Sequence, residues 1–367
     1  MANLITNVSK YLMILLIAIY TYYNFRFFGI RDEWGKRRLC RLQNVVMVLI
    51  HTLAYLIIYL RTEDEKTLMF FGAQLLFFFL YMGLYRLFYR NLSRLLLNNA
   101  CMLLSTSFII LTRISMDRAV RQFAIVAVAA AVTMIIPFIM DRAWQLSKIP
   151  WVYGSIGLAL LLVVCVMGNT AFGAQLSINI GGFSFQPSEF VKISFVFFVA
   201  TMFYRSVDFK TIAVTTAVAA AHVLVLVMSK DLGSALIFFV TYLLMLFVAT
   251  GSWLYLGLGA GSGAAAAVIA YSLFSHVRTR VEAWLDPWSD ISGKGYQISQ
   301  SLFAIGTGGW FGMGLYQGMP SKIPVVEKDF VFSAISEEMG GIYAICLILI
   351  CLGCFMQFMM IAAKMQA

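Results

Sequence analysis

Long apolar runs alternate with short polar clusters from the first residues of this chain to the last. Crossing a bilayer takes roughly 17–25 predominantly apolar residues in a helix. Runs of that kind fall at about 11–28, 45–61, 68–85, 97–113, 121–140, 150–168, 188–205, 211–228, 233–250, 253–274 and 331–362. The pattern therefore predicts an all-α, polytopic integral membrane bundle of about eleven transmembrane helices. Two polar stretches are longer than a turn, 169–187 and 275–330. The second is long enough to form one large loop at the membrane surface, predicted to be extracytoplasmic.

Composition sharpens this. Hydrophobic residues make up 61% and charged residues 12% of the chain, and the mean hydropathy is +0.86. The net charge of +10 fits basic cytoplasmic loops and anionic headgroups better than nucleic acid, which is not expected as a partner. Five of the six cysteines lie in apolar runs, and Cys40 lies in a basic loop. That argues for packing residues and against a disulfide framework. The first run, "YLMILLIAIYTYY", lacks a small-residue cleavage site and reads as an anchor. The Gly- and Ala-rich "GLGAGSGAAAAVIAY" (257–271) reads as a close-packing surface.

Charge between the runs sets the orientation. Arg26, Arg31, Lys36, Arg37, Arg38 and Arg41 place the first loop inside. Alternation then puts 61–67 outside and 85–94 inside, the latter with Arg86, Arg90 and Arg94. Later inside loops carry Arg142 with Lys148, then Arg205 with Lys210. One segment disagrees, since "TRISMDRAVR" puts Arg113, Arg118 and Arg121 outside. On this topology 169–187, the turn "SKDLGS", the loop 275–330 and the mouth of the last span share the outer face.

Polar side chains gather on that face. Pro187, Ser188 and Glu189 read as a helix start, because Pro fits the first turn and Glu favours the positive helix end. Lys192 follows a turn later. It either snorkels to the headgroups or turns inward to meet Glu189 or an anionic substrate. Asp231, beside Lys230, reads as an N-cap. His276, Arg278, Arg280, Lys294 and Lys322 form a basic set for lipid headgroups or for a substrate phosphate, which a guanidinium grips in a fork. The stretch 297–305, starting at Gln297, predicts an interfacial amphipathic helix. The glycines from 306 to 318 permit tight turns or close approach to a ligand, without a nucleotide-loop spacing.

Then comes "VVEKDFVFSAISEEMGG", with Glu327, Lys328, Asp329, Glu337 and Glu338 at the mouth of the last span. Asp329 reads as a helix cap or as a general base. At least one of Glu337 and Glu338 should face the bundle interior, and their plain role is pairing with Lys192 or Lys230 across helices. The histidines 51, 222 and 276 lack metal-ligand spacing for zinc.

The segments "GAQLSI…FSFQPSEFVK", "KDLGSA", "RVEAWLDPWSD…GKGYQISQSLFAIGTGGWFGMGL" and "KDFVFSAISEEMGG" resemble, in order and spacing, the signatures of the SEDS family, the RodA, FtsW and SpoVE type. The resemblance covers roughly 97–362. It divides the chain into an N-terminal extension, 1–96, with three spans, and a SEDS-like core, 97–367. It implies an inverting peptidoglycan glycosyltransferase of the bacterial cytoplasmic membrane. Such an enzyme polymerises lipid II, an undecaprenyl-pyrophosphate-linked precursor, on the outer face for elongation, division or sporulation, beside a class B penicillin-binding protein. The Asp of the family's "DF[IV]F" motif is catalytic, which is Asp329 here. Arg278, Arg280, Lys192, Lys322, Lys294 and Gln297 are then the substrate-binding candidates. Glu189, Ser188, Asp231, Lys230, Glu337 and Glu338 support them, and a divalent cation, Mg2+ or Mn2+, is an admissible cofactor with unassigned ligands.

Three departures stand out. "SKDLG" replaces "QPDLG", "IPVVEKD" lacks the usual "LPE", and the chain stops before the family's last two spans and their "GVTLPFISYGGSS"-like segment. A truncated core is expected to open the bundle. Two alternatives remain: a lipid-linked precursor transporter, and a catalytically impaired scaffold that recruits a transpeptidase.

Overall fold

The computed structural model describes residues 2–142, 149–171, 174–180 and 183–365. Lys148, used above for orientation, lies outside them, as do residues 173, 181 and 182 of the 173–192 signature. Among the described residues, eleven helices are long and apolar enough to cross a membrane, which makes this a multi-pass membrane protein. The chain divides into two compact units: Met1–Ile135 with Thr279–Ala367, and Ile136–Arg278. These boundaries fall elsewhere than the division at 96/97 read from sequence.

The first unit holds α1 (Ala2–Gly29), α2 (Glu33–Thr62), α3 (Glu65–Phe88), α4 (Arg94–Ile114) and most of α5 (Met116–Arg142). Helix α4 is its hub. Asn98, Asn99, Ser105 and Thr106 are buried in it, a costly placement in lipid unless each finds a partner. Each does. Asn98 Nδ2 donates to the Cys40 carbonyl at 2.9 Å, Asn99 Nδ2 to Asn24 Oδ1 at 2.8 Å, and Tyr20 OH to Asn99 Oδ1 at 3.1 Å. His51 Nδ1 lies 2.8 Å from Ser105 Oγ, which makes His51 a core residue. Around these bonds pack Ile17, Met47, Ile50, Phe78, Phe108 and Tyr343. Spans α1 and α2 are thus bolted to α4 by polar side chains as well as by apolar packing.

The second unit holds α6 (Pro150–Met167), α7 (Pro187–Arg205), α8 (Phe209–Met228), α9 (Leu232–Thr250) and α10 (Trp253–Leu273) around Phe195, Phe198 and Phe238. Pro187 opens α7 as expected. On α10, a Cβ on Gly259 would lie 2.1 Å from the Leu243 side chain, and one on Gly263 2.8 Å from Phe239. The packing role of this small-residue run therefore holds at those two positions, although α10 buries none of its residues.

The stretch before α7 is not plain loop. It forms a three-stranded antiparallel meander, β1 (Asn169–Ala171), β2 (Ala174–Ile180) and β3 (Phe183–Phe185), in the order β1-β2-β3. Thr170 pairs with Gln175, and Ile178 with Phe185. "AQLSINI" alternates apolar with polar positions, which is the period of a strand.

Candidate active site

Residues 275–340 carry α11 (Ser275–Leu285), α12 (Tyr296–Gly308), a 3₁₀ turn at Pro320–Lys322 and α13 (Val331–Met339), which leads into α14 (Gly341–Met365). Helix α12 matches the amphipathic helix expected over 297–305. The single last span expected over 331–362 does not form. Gly340, at φ +95° and ψ +161°, breaks it into α13 and α14, in a conformation open essentially to glycine alone.

The glycine-rich segment then laces onto this break by backbone bonds. Met313 N donates to Glu337 O at 2.9 Å, Gly314 N to Glu338 O at 2.8 Å, and Gly341 N to Gly309 O at 2.8 Å. A Cβ on Gly312 would sit 2.5 Å from Glu338 O, and one on Gly308 2.2 Å from Ser336 O. These glycines approach the chain's own α13. Lys10 Nζ of α1 adds a bond to Gly312 O at 3.0 Å.

The segment 327–338 carries four carboxylates in different environments. Glu338, buried, takes Arg113 Nε and Nη2 at 3.0 Å each on Oε1. Arg113 also donates to Gly318 O at 3.3 Å and lies 4.0 Å from the Tyr316 ring centroid. Burial pushes the Glu338 carboxyl up to about 7, against the pull of Arg113. Glu337, also buried, accepts the Met319 amide at 2.8 Å on Oε1. Glu327 forms an ion pair with Arg118. The pairing of Glu337 and Glu338 with Lys192 or Lys230 is therefore replaced by Arg113 and a backbone amide. Sequence reading passed over Arg113 and Arg118 as functional residues. Their signal was present, since they were the cations that broke the positive-inside rule.

Asp329 stands apart. It is exposed in the turn before α13, and its amide donates to Val325 O at 3.1 Å. Phe330 occupies the N-cap position with no side-chain cap bond, so Asp329 is not the helix cap. Of the four acids in this segment, Asp329 is the one whose side chain has no partner among the described residues. Lys322 and Glu337 line a cavity of about 250 Å³ with Phe303 and Thr307. One Glu337 oxygen, Oε2, is buried there without a hydrogen-bond partner.

The other candidates separate by unit. In the first, Arg280 and Gln297 are exposed, and Lys294 Nζ pairs with Glu282 Oε2 at 3.0 Å. In the second, Lys192 Nζ pairs with Glu189 Oε2 at 2.7 Å, one of the two readings of that lysine. Ser188 is buried and receives Gln186 Nε2 at 3.1 Å. Asp231 caps α9 by accepting Ser234 N at 3.1 Å, as expected. Lys230 is exposed with φ +60°. Arg278 Nη2 donates to Ser272 O at 3.1 Å, and His276 lies beside Phe274. Of the cations of 276–328, Arg278, Arg280, Lys322 and Lys328 have no ion-pair partner among the described residues. No three His, Cys, Asp or Glu side chains among the described residues gather as a cation site would require.

Fold and site together define a polytopic membrane protein with an unpaired carboxylate at a helix mouth, beside one buried ion pair, Arg113–Glu338, and one partly exposed, Arg118–Glu327. Residues 85–367 match the FtsW/RodA/SpoVE family model, described as a cell cycle protein, and the chain belongs to that family. It is 34% identical over 230 residues to the peptidoglycan glycosyltransferase RodA of Mycobacterium tuberculosis (strain ATCC 25618 / H37Rv), covering 58% of this chain and 49% of that one. It is 33% identical over 259 residues to the probable peptidoglycan glycosyltransferase FtsW of Aliivibrio salmonicida, covering 68% and 64%. The chain spans about half the length of the first of these relatives. A solved structure described as "Structural coordination of polymerization and crosslinking by a peptidoglycan synthase complex" shares the fold. Its TM-score is 0.57 at 24% identity, over 70% of this chain and 73% of that one.

Proposed function

We propose that this protein is an inverting peptidoglycan glycosyltransferase that joins lipid II units at the outer face of the cytoplasmic membrane. Family membership and the names of its relatives support the activity. The carrying observation is the difference among the four acids. Three are held by Arg118, the Met319 amide and Arg113, while Asp329 is exposed and unpaired.

A general base must reach the proton it abstracts. Asp329 takes the proton from the 4-hydroxyl of the acceptor sugar. The freed oxygen attacks the anomeric carbon of the donor strand from the face opposite its pyrophosphate. The C–O bond to undecaprenyl pyrophosphate breaks, and the electron pair leaves with the pyrophosphate. Cations must offset that developing charge, and Lys322 and Arg280 are free of ion pairs to do so. Arg278, Lys192, Lys294 and Gln297 remain contributors to substrate binding. Mg2+ or Mn2+ would offset the same charge; among the described residues no three His, Cys, Asp or Glu side chains gather to hold one. A class B penicillin-binding protein is the proposed partner, consistent with the family.

Polymerisation of fluorescent lipid II by the purified chain tests this. Asp329→Ala and Asp329→Asn should each lower the rate by at least about a hundredfold, the lower range for loss of a general base, while monodispersity and thermal midpoint stay unchanged. Wild-type rates in either variant would remove Asp329 from the mechanism. A wild-type chain that binds lipid II without polymerising it would favour the scaffold reading.

A further inference from the structure

The end of the first unit opposite Asp329 holds a cavity of about 470 Å³. The α1–α2 link, the link before α4 and the last turns of α14 form its wall. Lys36, Arg37, Arg90, Arg94 and Lys364 line it, with Glu33 as its one carboxylate. Glu33 is already engaged, since Lys36 Nζ lies 3.1 Å from its Oε1. Among the described residues, Arg37, Arg90, Arg94 and Lys364 have no ion-pair partner. Gathering like charges without a counter-charge costs energy that falls only slowly with distance in a low-dielectric setting. A bound anion removes that cost.

Asn91, Ser93 and Gln357 add polar groups, the last two joined by a 3.1 Å bond from Gln357 Nε2 to Ser93 Oγ, and the wall also has an apolar part. Phe27, Phe28, Leu92, Met360 and Ile361 face the same space. Met360 is also 43% exposed on the outside of α14, where hydrocarbon would lie. Cations and apolar side chains lining one cavity at the level of helix ends match a phosphate headgroup with the upper part of its acyl chain. A soluble phosphate would leave the apolar wall without a partner.

We infer that this cavity binds the headgroup of an anionic phospholipid in the leaflet facing the basic loops. The lipid is structural. It ties residues 27–40, which precede the family match beginning at residue 85, to Arg90, Arg94 and Lys364 within it. The site does not depend on the proposed catalytic activity.

Native mass spectrometry and thermal midpoints of the purified full chain test the inference. The probes are phosphatidylglycerol, phosphatidylcholine and glycerol 1-phosphate. Phosphatidylglycerol should be retained and should raise the midpoint, and the other two should do neither. The double variant Arg90→Gln/Arg94→Gln should retain phosphatidylglycerol about tenfold more weakly, given the usual contribution of each basic residue at an anionic surface. Lys364→Glu is a second variant, at an exposed position; it should weaken retention in the same direction. Equal retention of phosphatidylcholine, or wild-type retention in both variants, would overturn the site. Stabilisation by glycerol 1-phosphate equal to that by phosphatidylglycerol would overturn its assignment to a lipid.

Discussion

Asp329 and Glu338 belong to one short segment and stand in opposite environments, and this difference has a measurable pH signature. Glu338 is 1% exposed, and burial raises its carboxyl from the usual 4.5 to about 7. Between those values the folded protein holds a proton that the unfolded chain has released. Stability therefore falls as pH rises from about 4.5 to about 7, by at most about 3.5 kcal/mol, since each pKa unit is worth about 1.4. Glu338→Gln keeps an acceptor for Arg113 and removes the titration. Its unfolding midpoint in detergent should vary less across that window than the wild type's. Parallel profiles for the two proteins would show that Glu338 does not titrate there. Sequence reading expected at least one of the two glutamates to face inward, and both are buried. It could not name Arg113, because that pairing joins residues 225 positions apart and depends on how α4 and α13 pack.

At the scale of elements, long spans were legible because bilayer thickness demands an apolar length that few other structures need. The break at Gly340 was not. Apolar residues run through "FVFSAISEEMGGIYAICL" with little interruption, so periodicity alone extends one helix across it. The Gly340–Gly341 pair was the local sign of a stop. The β-meander before α7 was also missed, because a polar stretch between spans reads as loop unless its alternation is weighed. The hinge can be tested directly. Gly340→Ala meets both a positive φ and backbone atoms 2.5 Å away at Gly312. It should lower the thermal midpoint by the equivalent of about 1–3 kcal/mol for the backbone alone, and more if the Gly312 segment must move. Proteolysis between 310 and 330 should speed up as the lacing loosens. Gly306→Ala is the control, since open space surrounds that helical position, and it should be neutral or slightly stabilising. Equal effects at both positions would show that Gly340 is an ordinary helix residue.

At the scale of the whole chain, the sequence posed a contradiction, with three arginines on a face where basic residues are usually few. The first unit accounts for two of them. Arg113 and Arg118 reach carboxylates of the segment around Asp329, and Lys10 bonds the glycine loop on the same side. Cations already paired with carboxylates carry little net charge to hold their loop in the cytoplasm, whereas Arg37, Arg90, Arg94 and Lys364 at the other end have no such partners. The geometry therefore commits 113–118, 312–318 and 327–338 to one side and 36–37, 90–94 and 364 to the other. The net basic end should face the cytoplasm. Single cysteines at the exposed positions Ser321 and Asn91, placed in a chain freed of its own cysteines, test that arrangement. A membrane-impermeant maleimide should label Ser321→Cys in intact cells and Asn91→Cys only after permeabilisation. The reverse pattern would place Asp329 in the cytoplasm, away from any substrate presented outside, and the glycosyltransferase proposal would fall with it. Labelling of both positions from one side would instead contradict the fold of the first unit, because α4 separates them by its full length.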